Sequence, residues 1–285
     1  MKLKCLLLLL TGMLLLTGCK RQSSDARPRI TVSIEPLRYV VEAIAGHRYS
    51  VTTLMPQGAS PETYEPSPRN MVALGESQLV FRCGTLGFEQ TKLPQMLKSV
   101  PRVRLVDLSH GIALLQSNHH HHHGHEASES ADPHIWLSPE NLKSMAGIVA
   151  SELCHADAPH AAYYKQRLAA FEKKMNQLNA QLQQMLRQKQ GTAFLIYHPA
   201  LGYFARQYGL TQLAVENDGK EPSAAYLQQL IGTSRSHGVK VVFISEEHNG
   251  RAAQRIATHI NARVVRINPL SYDVPQQLLL IAQSL

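Results

Sequence analysis

The sequence is short of cysteine, of clustered basic charge and of long apolar runs, and each shortage narrows what the chain can be. Of its four cysteines, Cys5 and Cys19 lie near the N-terminus, so only Cys83 and Cys154 remain for a folded part. At most one disulfide is possible, and the apolar neighbours Leu79, Val80, Phe81 and Leu153 favour buried free thiols instead. Lysine and arginine number 29 against 21 acidic residues. They form no dense cluster with interleaved aromatics, so nucleic acid is not an expected partner. The only strongly apolar stretch, Met1 to Thr17, is short for a hydrocarbon core of about 30 Å, which argues against a membrane-spanning helix. There is also no His-Glu-x-x-His pattern, the helical signature of a large class of zinc hydrolases.

What is present begins with a processing signal. Lys2 and Lys4 precede a leucine-rich run that ends in Leu16-Thr17-Gly18-Cys19, a basic, apolar and small-residue succession that reads as a secretory signal with a lipoprotein cleavage site. Residues 1–18 are then removed and Cys19 becomes the acylated first residue, tethering the protein to a membrane that it does not cross. The formal charge of +8 falls to +6 with the loss of Lys2 and Lys4. Residues 19–29 are polar and aperiodic, as a flexible tether should be.

Roughly 255 residues follow, more than one hydrophobic core usually serves. Apolar, β-branched runs at 30–34, 51–55, 79–81 and 103–106 read as strands, and the pattern recurs at 193–197, 213–215, 239–244 and 262–267. Helical spacing such as Leu37, Val40, Val41 and Ile44 separates them. Short strands alternating with helices predict an α/β fold of two lobes, each a small parallel sheet flanked by helices. The expected lobes are 30–156 and 191–285, the first carrying a loop at 116–131. Between them, Tyr164, Leu168, Phe171, Met175, Leu178, Leu182 and Met185 follow alternating steps of three and four, predicting one long helix within 157–190. Its seam covers about three heptads, which favours a strut joining two lobes of a monomer over a coiled-coil dimer.

Histidine carries the chemistry. His119, His120, His121, His122, His123 and His125 sit in a tract with no hydrophobic pattern, an auxiliary loop that would collect zinc, copper or nickel weakly and without fixed geometry. Two other histidines have ordered settings: His134 in Asp132-Pro133-His134-Ile135-Trp136-Leu137, and His198 where the 193–197 strand ends. Carboxyl ends of strands face the ligand crevice in open α/β sheets. The loop 58–66 and the segment Asn268-Pro269-Leu270 reach the same edge, so four polar residues converge there from both lobes.

These segments resemble the metal-binding lipoprotein family of bacterial ABC importers, the zinc-uptake or cluster A-I substrate-binding proteins. The resemblance covers nearly all of the mature chain and rests on Met55-Pro56-Gln57-Gly58-Ala59-Ser60-Pro61-Glu62-Thr63-Tyr64-Glu65-Pro66-Ser67-Pro68, the His-rich insertion, the His134 motif, His198 with Gly202-Tyr203-Phe204-Ala205, Glu221-Pro222-Ser223, and Asn268-Pro269-Leu270. It implies a C-clamp with one backbone helix and a single metal ion between the lobes. It also implies delivery of that ion to a membrane permease with its ATPase, at the periplasmic or outer face; surface adhesion, as a secondary role, is a third reading of the chain.

Histidine at the position of His198 goes with zinc in this family, whereas manganese-selective members tend to carry glutamate. The resemblance implies metal ligands at Glu62, His134, His198 and Asn268, with the departure that this chain has Glu62 where histidine is usual and Asn268 where aspartate is usual. Zn2+ as the transported ligand is the expectation, manganese or iron the alternative within the family, and a zinc hydrolase the rival from another class. Glu65 and Glu247 are the carboxylates that such a hydrolase could enlist as a base, Asp273 an alternative fourth ligand.

Overall fold

A computed structural model describes residues 27–116, 131–216, 222–246 and 250–285. Eight strands occur at β1 (Arg29–Val32), β2 (Ser50–Thr53), β3 (Ser77–Arg82), β4 (Arg104–Asp107), β5 (Ala193–Ile196), β6 (Thr211–Ala214), β7 (Val241–Ser245) and β8 (Arg263–Ile267). Each falls within two residues of its expected bounds. The small offsets have local causes. After Val32 the chain turns into the helix Glu35–Ala45, whose first turn holds Pro36, a residue that cannot donate to a ladder.

The strands form two four-stranded sheets in the orders β2-β1-β3-β4 and β6-β5-β7-β8, and every pairing is parallel. Identical order in the two halves is the structural form of the repeat seen in the sequence. The helix Glu35–Ala45 buries Leu37, Val40, Val41 and Ile44 completely, the stripe that their spacing predicted. The long helix runs Ala161–Leu186, 26 residues, or about 39 Å at 1.5 Å per residue. Tyr164, Phe171, Met175, Leu178 and Leu182 are buried along it, with Leu168 and Met185 half-buried. An 18-residue helix, Pro139–Ala156, packs beside it.

The two lobes share a core on their inner faces. The inner faces of both sheets, through Val32 and Phe81 on one side and Phe194, Ile196 and Phe243 on the other, belong to one continuous apolar cluster that includes the long helix. Only the outer faces have cores of their own, around Leu54, Leu74 and Val80 in the first lobe and Leu195, Val242 and Ile244 in the second. The long helix supplies apolar side chains to both lobes, which is why the two inner layers merge. Cys83 is buried and Cys154 half-buried, and both thiols are free. Among the described residues no helix is long and apolar enough to cross a membrane.

Candidate metal centre

In each sheet the order reverses between the first and third strands, leaving a crevice at their carboxyl ends. His198 stands two residues past β5, and Glu216 two residues past β6. The backbone holds both there, because Val215 N–H donates to Ile196 O (2.8 Å) and Glu216 N–H to Tyr197 O (2.9 Å), continuing the ladder beyond the strands. Pro199 follows, and the Ala200 N–H closes a tight turn onto His198 O at 2.7 Å. Glu62 comes from the loop after β2, which is anchored by Tyr64 donating to Leu54 O at 2.7 Å. Glu65 in this loop is ion-paired with Lys92 at 2.8 Å, a surface anchor.

His134 is placed by its neighbours in sequence. Ile135, Trp136 and Leu137 are fully buried, and Ser138 caps the following helix by accepting from Asn141 N–H. Asp132 Oδ1 accepts both the backbone N–H of His134, at 2.9 Å, and its Nδ1, at 2.8 Å. The imidazole is therefore locked with its proton on Nδ1 and the Nε2 lone pair free.

His198 repeats the device. Its Nδ1 donates to Glu216 Oε2 at 2.8 Å, and its Nε2 lies 3.3 Å from Glu62 Oε1. The two imidazole rings, one from each lobe, are 5.2 Å apart between centroids. Two donors each about 2.0–2.1 Å from a tetrahedral zinc lie roughly 3.3 Å from each other, so the Glu62–His198 separation suits a ligand pair as well as an ion pair. The His198–Glu216 distance is instead that of a hydrogen bond. The donor atoms of Glu62, His198 and Glu216 all lie within 4.8 Å of one another, a group able to hold an ion.

Burial opposes a charge on His198, but the Glu216 hydrogen bond and the negative charges of Glu62, Glu216 and Asp132 outweigh it and raise the imidazole pKa. Such a field attracts a proton in an empty site, and a dication more strongly.

Two of the expected ligands lie outside this group: His134, whose ring is 5.2 Å from that of His198, and Asn268. Asn268 uses Oδ1 to accept the Leu270 N–H at 3.0 Å and Nδ2 to donate to Glu246 Oε2 at 3.0 Å. Asp273 caps the C-terminal helix Val274–Ser284 by accepting from Gln276 N–H at 3.1 Å. Cys19, the histidines 119–123 and 125, and Glu247 lie outside the described residues; the base of the His-rich loop is closed by a bridge between Gln116 and Ala131. Asp132 and Glu216, which hold the two imidazoles, were not among the expected site residues. The available signals were an aspartate two positions before His134 and a carboxylate just beyond a strand.

The chain matches the family described as zinc-uptake complex component A, periplasmic, over residues 30–278. Among relatives, the high-affinity zinc uptake system protein ZnuA of Bacillus subtilis is 25% identical over 260 residues, 87% of this chain and 80% of that protein. A putative metal-binding protein of Chlamydia trachomatis is 26% identical over 278 residues, 97% of each chain. A crystal structure of ZnuA superposes with a TM-score of 0.83 at 36% identity, covering 90% of this chain and 97% of that one. A ZnuA deletion mutant with zinc bound gives 0.82 at 36%, covering 90% and 96%. The laminin-binding protein of Streptococcus agalactiae shares the fold, with a TM-score of 0.78 at 23% identity over 90% and 99% of the two chains. With the match spanning both lobes and the edge where the histidines meet, this chain belongs to the periplasmic component A family of zinc-uptake complexes.

Proposed function

We propose that the protein captures a single zinc ion between its lobes and passes it to the permease and ATPase of an importer, while tethered outside the cytoplasmic membrane through Cys19 as a monomer. The observation that carries this reading is the pair of imidazoles, one from each lobe, that of His134 buried and that of His198 partly so, each with Nδ1 on a carboxylate and His198 Nε2 at ligand distance from Glu62. Glu62, His134 Nε2 and His198 Nε2 are the ligands; the fourth position falls to Asn268 Oδ1, after its loop adjusts, or to water. Glu62 leaves the ion with one net positive charge, and with Asp132 and Glu216 behind the imidazoles the whole set carries one net negative charge.

Binding without turnover follows from the same groups. Asp132 and Glu216 are committed to imidazole hydrogen bonds, and Glu62 to the ion, so none of the three is placed as a general base toward a bound water. Protein purified without chelators and titrated against a competing chelator should hold one tightly bound zinc per chain and hydrolyse none of a substrate panel when loaded. Absence of a stoichiometric zinc site, or tighter retention of manganese than of zinc, would overturn the assignment.

A further inference from the structure

We propose that Tyr203 is a positioning residue for the metal centre: from the second lobe, its hydroxyl sets the place of His134 in the first. This rests on the zinc-capture reading and extends it to a group outside the coordination sphere. His134 and His198 are 64 positions apart in sequence, with the long helix between them. The covalent path is too long to fix rings 5.2 Å apart, so a local contact must do it.

That contact is made by the short helix Gly202–Tyr208, which begins four residues after His198. Tyr203 is 1% exposed. Its hydroxyl accepts the Leu115 N–H at 3.1 Å and donates to the Asp132 carbonyl at 2.8 Å. Asp132 in turn fixes the backbone and ring of His134. The route from one histidine to the other is therefore a rigid turn, a phenol, one peptide group and a carboxylate. Burial pushes the phenol up to about 12, with the Leu115 N–H working against it, so the hydroxyl keeps its proton at neutral pH.

Two neighbours support this contact. A Cβ on Gly202 would lie 2.5 Å from Asp132 Oδ2 and 3.3 Å from a Leu115 methyl. Glycine is thus what lets the helix approach Asp132 so closely. Arg206 donates to Ala113 O at 3.0 Å with its guanidinium 5.2 Å above the Tyr203 ring. On the far side of His134, Ser138 donates to Gln207 Oε1 at 2.6 Å. The same short helix thus grips the chain on both sides of His134.

Tyr203→Phe keeps the buried ring and removes only the two hydrogen bonds. Zinc affinity, from chelator competition on the full chain, should fall about tenfold or more, the range found for groups that orient metal-binding histidines. The visible absorption of the cobalt(II)-loaded protein, which reports donor geometry, should change, while the metal-free melting temperature moves by only a few degrees. Gly202→Ala attacks the same contact without touching the hydroxyl, and should alter the cobalt spectrum and weaken zinc as well. If Tyr203→Phe and Gly202→Ala retain wild-type affinity and spectrum, even with a lowered melting temperature, the clasp is only structural and the proposal fails. A wild-type protein that binds neither zinc nor cobalt would instead refute the metal-capture reading itself.

Discussion

Each histidine of the centre owes its useful tautomer to a carboxylate, and that makes the carboxylates as testable as the ligands. Glu216→Gln keeps a hydrogen-bond acceptor for His198 Nδ1 but removes the charge, so zinc affinity should drop by about 10- to 100-fold while the stoichiometry stays at one. Competitive titration measures both, and an unchanged affinity would mean that Glu216 does not tune His198. Glu62→Ala should weaken zinc far more than Asn268→Ala, since only the first removes a charge as well as a donor. Equal effects would show Asn268 to be a full ligand. At this scale the sequence displayed the histidines, because a histidine at a strand end or inside Asp-Pro-His has a recognisable setting. It did not display Glu216, whose role arises only when β6 pairs with β5 and brings it beside a residue 18 positions away.

At the scale of elements, strands were legible because buried parallel strands are near-continuous apolar runs, and the long helix because its apolar steps never break. Helix ends were less so. The expected 157–190 helix starts later because Asp157 interrupts it, in a conformation that is not helical. Its carboxylate accepts from Arg48 Nε at 2.8 Å, His160 Nδ1 at 2.7 Å and Tyr164 at 2.5 Å. Burial by itself raises the Asp157 pKa, but these hydrogen bonds and the Arg48 charge pull it from 3.8 down to about 2. A depressed carboxylate stabilises the fold fully above pH 3.8, and that contribution is lost as pH falls through about 2. Asp157→Asn should therefore cost about 1–2 kcal/mol at pH 7, after allowance for solvent screening. In urea melts across pH the gap should close between pH 4 and 2; a constant gap would place the effect elsewhere.

For the whole molecule, a core common to both inner sheet faces predicts one cooperative unfolding transition, with calorimetric and van't Hoff enthalpies equal. Two resolved transitions would show that the lobes unfold independently. Zinc at about 100 times its dissociation constant should add roughly 2.7 kcal/mol of stability and raise the melting midpoint. Deleting residues 119–125 should leave that shift intact and abolish only weaker zinc equivalents in calorimetry, because ordering a loop costs conformational entropy that a site on two packed lobes does not pay again. Loss of the tight event would move the primary site into the loop. The twofold sheet pattern was legible in the sequence as a repeat. The merging of the inner cores was not, since apolar periodicity states that a face is buried and not what buries it.

The common core also bears on how the ion escapes. Swinging the lobes apart would bring Trp136 and Tyr203, now 0% and 1% exposed, into water, and would break the Trp136 indole bond to Pro269 O at 2.7 Å. Glu62, by contrast, has a side chain that is 48% exposed on a loop at the rim. With Glu62 as a ligand, as proposed above, the cheapest exit is through a side door, with the rim carboxylate letting go first and the two imidazoles staying seated. On this account dissociation is timed by a loop a few residues long, and an importer needs to tug on that loop alone to unload its cargo.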